Sequence, residues 1–543
     1  MDTRFSGFSC CRNPGTTNHI PAGQLVVIAK GIDAKMPIAE KNPTVEAVKS
    51  VISVGALIFS VVIIAGLIFT GQTSLAQDVH PVFTVIVLAL AVVWLSIVEG
   101  GQASLVGLAP VSHDLYADSH RIAHKSCVDA HSGDSLDRYL LGRQFMVVFI
   151  VFAINIAGGP VSGAELWELP QWLLSLFLGF GLAMILFTTM CGQLNSQVNA
   201  SHCMLDYLNT WPNYFTLRVA KAIEFSGIVH ASYIIQIIVA SLAGKKTRPR
   251  RRTRSDLHDL FFYFRCFMSL ALLIFALVIT LAALFEGKTT MWEGVPNAAA
   301  VIIFFILMCV VGLLEGMQIA FFAVAKLPED ERGDNFWAKK TCGLLFRGDA
   351  HNLSAFMIGR QLCVVSCMFF IARVTSFDID PGAGDATLWG MPAAAQVFLN
   401  TGFLGALITT ILASIAWQLV ASAFPIAFLS NPFTYVLLRL CLALKATGIC
   451  NGAYVIAWIH RRLGGFQRDE VYIGTAEERR AKAKADNPGK LRPGTGHLLK
   501  LPAFAEDAPE ALKELARNDA DVHEYMSSIQ KQADIENGKH SDR

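Results

Sequence analysis

Long uninterrupted apolar runs limit what this chain can fold into more than any other feature. Residues 51–70, 81–98 and 298–314 carry no charged side chain. A run of about 18 or more apolar residues can cross the hydrocarbon core of a bilayer as an α-helix. Charged residues make up 16% of the chain, against about 25% in a soluble domain. The net charge of +2 carries little meaning, because charge is segregated into tails and loops, and no nucleic-acid surface is expected. Roughly the first 40 residues are polar and lack the apolar stretch of a cleavable signal peptide. The first span is therefore expected to be an uncleaved anchor. The 12 cysteines are scattered without metal-ligand spacing. Most sit in apolar runs, where a buried thiol packs as a small hydrophobe. Cys10-Cys11 is a candidate for acylation.

The pattern predicts ten main spans, near 50–70, 79–109, 140–158, 171–191, 216–243, 259–285, 296–325, 353–374, 395–418 and 433–460. The fold class is all-α: a polytopic membrane protein of about ten transmembrane helices in two homologous five-helix halves. Residues 1–48 form a cytoplasmic tail, 49–243 the first half, 244–258 a basic linker, 259–462 the second half and 463–543 a charged tail. In that tail Leu512, Leu515, Val522, Met526 and Ile529 fall at heptad positions, with Asp519 breaking the seam. A weak coiled coil there would serve a homo-oligomer or a trafficking partner. No span or repeat motif lies beyond Arg468, so a cut there is expected to spare the membrane region's activity.

The chain repeats itself. Glu99-Gly100-Gly101-Gln102 in the second span returns as Glu315-Gly316-Met317-Gln318 in the seventh. Gly142-Arg143-Gln144 opens the third span, and Gly359-Arg360-Gln361 opens the eighth, so the two offsets are 216 and 217 residues. Arg218, Ser226, Gly227, Ile228 and Tyr233 match Arg439, Thr447, Gly448, Ile449 and Tyr454 at an offset of 221. Three matches in one order point to a duplication. Internal repeats are a recurrent plan of secondary transporters, with the site near the midplane where the halves meet.

Charge and repeat disagree on topology. Five spans per half insert the halves in opposite senses, as inverted repeats. Yet Lys and Arg collect in the linker, in 326–347 and at Arg461 and Arg462, while 159–170 and 377–392 hold none. The positive-inside rule would put the linker and both tails on the cytoplasmic side, which needs an even number of crossings per half. Residues 192–211 and 419–432 are where an extra crossing or re-entrant piece would fit. Ten spans with inverted halves is the favoured reading.

Glu99 and Glu315 are the lone charged residues of 81–111 and 295–325. At about 1.5 Å per residue, each run exceeds a core of about 30 Å by several residues. That excess, with Gly beside each Glu, predicts a tilted or interrupted helix. A carboxylate deep in a span is costly and usually functional. The bland alternative is pairing, Glu99 with Arg143 and Glu315 with Arg360, or an Arg that snorkels to the interface. Gln donates and accepts, Arg only donates, and ionised Glu only accepts. Together they suit a small neutral solute bearing several hydroxyls. Weaker signals remain. Glu224 is replaced by Lys445 in the second half, a candidate asymmetric pair. Cys203 and Asp206 are too few ligands for zinc. Asn199 and Asn352 fit the glycosylation pattern.

Taken in order, these motifs resemble the silicic acid transporters of diatoms and related silicifying organisms. That family carries a paired Gly-x-Gln set, usually Glu-Gly-x-Gln then Gly-Arg-Gln, once per half. All four motifs are intact here, and Cys203-Met204-Leu205-Asp206 looks like the family's CMLD motif. The resemblance covers roughly 49–462. It implies uptake of Si(OH)₄ coupled to sodium. It further implies a path lined by Gly100, Gln102, Gly142, Arg143, Gln144, Gly316, Gln318, Gly359, Arg360 and Gln361, with Glu99 and Glu315 coupling the ion. Gly101 and Met317 occupy the variable position. The expected membrane is the plasma membrane, with an intracellular vesicle as the alternative.

Other functions fit less well. A passive channel, or a carrier for another small hydroxylated solute such as boric acid, uses the same residue types. The paired Asn-Pro-Ala boxes of aquaporin-like channels are absent, since Asn431-Pro432 is followed by Phe433. An intramembrane enzyme is not expected, because neither His-Glu-x-x-His nor Gly-x-Ser-x-Gly occurs at a span. A receptor or scaffold leaves the doubled Glu, Arg and Gln unexplained. The chain lacks a Walker motif, so an ion gradient is the expected energy source.

Overall fold

The computed structural model describes residues 43–474, apart from 110, 134, 162, 243–255, 293, 325–334, 348–350, 378 and 380–386. Cys10-Cys11, most of the basic linker and the tail heptads lie outside the described residues. The first half runs α1 (Pro43–Phe69), α2 (Pro81–Leu108), the short α3 (Arg121–His131) and α4 (Ser135–Gly158). A broken span follows, α5 (Gln171–Gly179) and α6 (Leu182–His202), bent by 50°. The half closes with α7 (Trp211–Ser226) and α8 (Ala231–Leu242). The second half runs α9 (Asp256–Glu286), α10 (Asn297–Val324), α11 (Phe336–Leu345), α12 (His351–Thr375) and α13 (Ala393–Asn400). It ends with α14 (Phe403–Ser422) and the pair α15 (Pro432–Thr447) and α16 (Gly452–Gly464), bent by 66°. Among the described residues the only β-pairing is two isolated bridges, Thr73 with Pro160 and Thr289 with Phe377.

Among the described residues seven helices are long and apolar enough to cross a membrane, and the two bent pairs raise the number to nine. The fifth span expected near 216–243 is divided. Its pieces have 16 and 12 residues, each shorter than the roughly 20 that a crossing needs. They meet at Gly227, whose φ of 85° lies where glycine is at home and a Cβ is not. Large apolar side chains such as Val51, Leu90, Phe267 and Ile302 are exposed, an outer surface suited to lipid.

Of the tilted or interrupted helix expected around each glutamate, the interrupted form is absent. α2 and α10 run as unbroken helices through Glu99 and Glu315. The glycines next to them make room instead of breaking the helix. A Cβ on Gly100 would collide with the Tyr207 ring, and one on Gly316 with the Phe428 ring. The breaks lie elsewhere. Gly181 and Gly402, with φ of 70° and 73°, start α6 and α14. Both helices then contain a π-helical stretch, Thr188–Leu194 and Thr409–Ile415. Such local widening often accompanies functional positions.

The halves hold each other by a reciprocal clasp. In α1, Lys49 Nζ donates to Ala446 O at 2.8 Å, and Ser53 Oγ donates to Ile449 O while accepting from Gly452 N at 2.8 Å. In α9, Arg265 Nη1 donates to Phe225 O at 2.9 Å. Ser269 Oγ donates to Ile228 O at 2.7 Å and accepts from Ala231 N at 2.9 Å. The first helix of each half thus grips the turn in the other half's last helix pair. Beyond those turns, α16 packs on α6 and α8 packs on the end of α14, while α4 and α12 pack together at the centre.

Candidate functional site

Two matching polar sets meet at that centre. Arg143 Nη1 lies 3.5 Å from Glu99 Oε1, and Arg360 Nη1 lies 3.0 Å from Glu315 Oε1. Each Arg Nη2 also donates to the adjoining glutamine, at 2.7 Å to Gln144 Oε1 and 2.9 Å to Gln361 Oε1. The other oxygen of each Glu accepts from a glutamine of α6 or α14: Gln197 Nε2 reaches Glu99 Oε2 at 3.0 Å, and Gln418 Nε2 reaches Glu315 Oε2 at 2.9 Å. Glu99 and Arg143 are each 7% exposed, Glu315 6% and Arg360 5%. These arginines are therefore buried in pairs and do not snorkel. Desolvating an ion costs several kcal/mol, and a partner with additional hydrogen bonds is what offsets it. Arg143 Nε and Arg360 Nε are nonetheless buried with no protein partner.

The sets line one cavity of about 110 Å³, room for several waters or one small polyol. Glu99, Gln102, Arg143, Gln144, Glu315, Gln318, Arg360 and Gln361 all line it. So do Gln193, Gln197, Ser201, Ser354, Gln418 and Tyr454, which the motifs did not single out. Apolar Leu140, Val147, Met357, Val364 and Met368 complete the wall. Gln361 Nε2 donates to Gln193 Oε1 at 2.6 Å, a bond from one half to the other. Ser414 stands at the position corresponding to Gln193, so the two halves are not equivalent there.

The motif glycines stand behind the cavity wall. A Cβ on Gly142 would run into the backbone carbonyl of Ala220, and one on Gly359 into that of Cys441. Close backbone approach of this kind is how membrane helices pack on small residues. Gly142 and Gly359 let α7 and α15 press on α4 and α12, which sets where the neighbouring arginines point.

Several weaker expectations resolve differently. Glu224 is held inside its own half by Arg138, Nε to Oε2 at 2.7 Å, with His230 Nε2 3.6 Å from its other oxygen. It takes Arg138 because α7 lies against α4, so Lys445 is not its partner. Asp206 accepts from His120 Nε2 at 3.1 Å and Gln467 N at 2.6 Å. Among the described residues no cluster of three or more metal-type ligands occurs. Asn199 is buried within α6 and donates to Asn195 Oδ1 at 3.3 Å, where a glycan has no room. The cavity glutamines could have been found from Gln197 and Gln418, which share the 221-residue offset.

Fold and site together define an integral membrane protein with a small cavity, lined by polar and apolar side chains, between two halves. A family model described as silicon transporter matches residues 41–542. The chain belongs to the silicon transporter family. No curated protein and no solved structure matches it.

Proposed function

We propose that the protein is a secondary active transporter that imports silicic acid, Si(OH)₄, together with sodium. The observation that supports this most is the convergence of both Glu-Arg-Gln sets on one buried cavity. Silicic acid is neutral near pH 7, so no net charge draws it in. Binding must come from its hydroxyls. The glutamines offer donors and acceptors, and the two unpartnered Nε–H groups offer further donors. Gln102, Arg143, Gln144, Gln318, Arg360 and Gln361 bind the solute, and Gly100, Gly142, Gly316 and Gly359 shape the wall. Leaving one such buried group unpaired costs about 1–3 kcal/mol. Gln318→Leu should therefore raise the half-saturating silicic acid concentration by about 5- to 150-fold. An unchanged value, measured by tracer uptake, would remove Gln318 from the site.

Glu99 and Glu315 couple the ion in this reading. Both oxygens of each carboxylate already accept hydrogen bonds. Sodium prefers oxygen ligands, as hard cations do, so it competes with the guanidinium for the same atoms. Its arrival would loosen each Arg and change the donors facing the solute. Germanic acid uptake into proteoliposomes tests this. An inward sodium gradient should drive accumulation, whereas simple equilibration regardless of sodium would make the protein a passive channel.

With α7 and α8 taken together as one bent crossing, five crossings per half insert the halves in opposite senses, with the plasma membrane as the place of work. A tag at Thr253 should then report from the side opposite a tag at the C-terminus. Both tags on the cytoplasmic side would require an even number of crossings in each half.

A further inference from the structure

α6 carries Gln193, Gln197 and Ser201 into the cavity and ends abruptly. Cys203, with φ −134° and ψ 51°, breaks the helix, and a short helix, Met204–Leu208, starts anew. The second half has the same joint at Phe424, with φ −138° and ψ 58°. A helix start leaves backbone N–H groups without partners. In the second half Pro425 opens the new helix and has no N–H to satisfy. In the first half Met204 does.

That difference is filled by a strap that follows α16. Asp469 accepts from Met204 N and from Leu205 N, each at 2.8 Å, and its own N–H donates to His202 O at 3.2 Å. One residue therefore binds both sides of the break. Asp206 locks the strap in return, accepting from Gln467 N at 2.6 Å and Tyr472 Oη at 3.3 Å. Asp469 is 5% exposed and Cys203 is fully buried. A cut after Arg468 would remove Asp469 and Tyr472.

We propose that Asp469 is a positioning residue for transport, whose side-chain carboxyl fixes the joint at Cys203 and so holds α6 with Gln193 and Gln197 facing the cavity. The role rests on the transport reading above, and the joint itself can be measured without it. Burial pushes the Asp469 carboxyl up to about 7, against the two amide bonds, with Glu470 and Asp206 adding to the rise. Cys203 and Tyr472 also face it, with Arg461 and Arg468 near Cys203 and His120 against the Tyr472 ring. A carboxyl raised in the closed joint and ordinary in a released strap favours closure at low pH. Closure weakens as pH climbs from the ordinary carboxylate range to about 7, then levels.

The test uses the purified full-length chain and two variants, Asp469→Ala and Asp469→Asn. Asn retains one acceptor oxygen, enough for one of the two amides, and sets an NH₂ donor where the other oxygen stood. Amide exchange at Met204 and Leu205, corrected for intrinsic rates, should rise at least about 10-fold in Asp469→Ala. Uptake by the same variant should fall by a similar factor at equal membrane insertion. Asp469→Asn should fall between the natural chain and Asp469→Ala in both, and lose the pH dependence of exchange between pH 5 and 7. Unchanged exchange in Asp469→Ala overturns the proposal, as does faster exchange with full uptake. A natural chain that takes up no silicic acid overturns the transport reading instead, and exchange still decides whether Asp469 holds the joint.

Discussion

Gly359→Val should yield almost no folded protein. Gly359 sits where α12 meets α15, and an added Cβ would collide with the backbone carbonyl of Cys441. A flexible side chain could move aside, but a helix backbone cannot move without the whole of α15. Overpacking a tight core costs about 1–3 kcal/mol, occasionally more. Because the obstacle here is backbone, the upper end or beyond is expected. Gly142→Val meets the Ala220 carbonyl in the same way and should fail alike. Gly343→Ala is the control, since nothing lies within 4 Å of its added Cβ. The measurement is the yield of monodisperse protein after detergent extraction. Normal yield from Gly359→Val would show that the helices can separate there, and the glycine would then matter for contact with solute.

Glu315→Gln should destabilise the protein strongly, and adding Arg360→Gln should restore it. Removing one partner of a buried pair leaves an uncompensated charge, which costs about 3–5 kcal/mol. Arg360 is 5% exposed, and its Nη1 lies 3.0 Å from Glu315 Oε1. Replacing both charges removes the isolated ion and leaves two amides that can bond each other. The double variant should melt close to the natural chain yet show no sodium-dependent uptake. If Glu315→Gln alone melts normally, the charge of Arg360 is compensated elsewhere and the pair is not the structural centre. If the double variant keeps sodium-dependent uptake, the carboxylate is not the coupling group.

Spans and charge pairs were legible because a charged residue inside an apolar run stands out. Glu99, Arg143, Glu315 and Arg360 do so, and the fold brings all of them to one cavity. The glutamines of α6 were harder to read. Residues 192–202 are polar because one face lines the cavity and much of the rest packs on protein, so hydropathy left 192–211 as a place for an extra crossing or re-entrant piece. Interruption, one of the two forms expected around Glu99, did not occur there, for a different reason. A glycine that ends a helix and a glycine that admits an aromatic ring look alike until the ring is located, and Tyr207 comes from another element. Asp469 was out of reach altogether, since it bonds Leu205 across 264 positions and no local pattern marks it.

The reciprocal clasp has a consequence for synthesis. Ser53 emerges from the ribosome early, but the Gly452 amide it accepts from is made about 400 residues later, or tens of seconds at ordinary rates. Until then α1 waits in the bilayer with its partner unmade, and the surface that α16 will cover stays bare. A chain released too soon, anywhere before Gly464, leaves both halves with an open edge. Such an edge is what quality-control machinery recognises. The last long helix among the described residues is therefore the one that certifies the first.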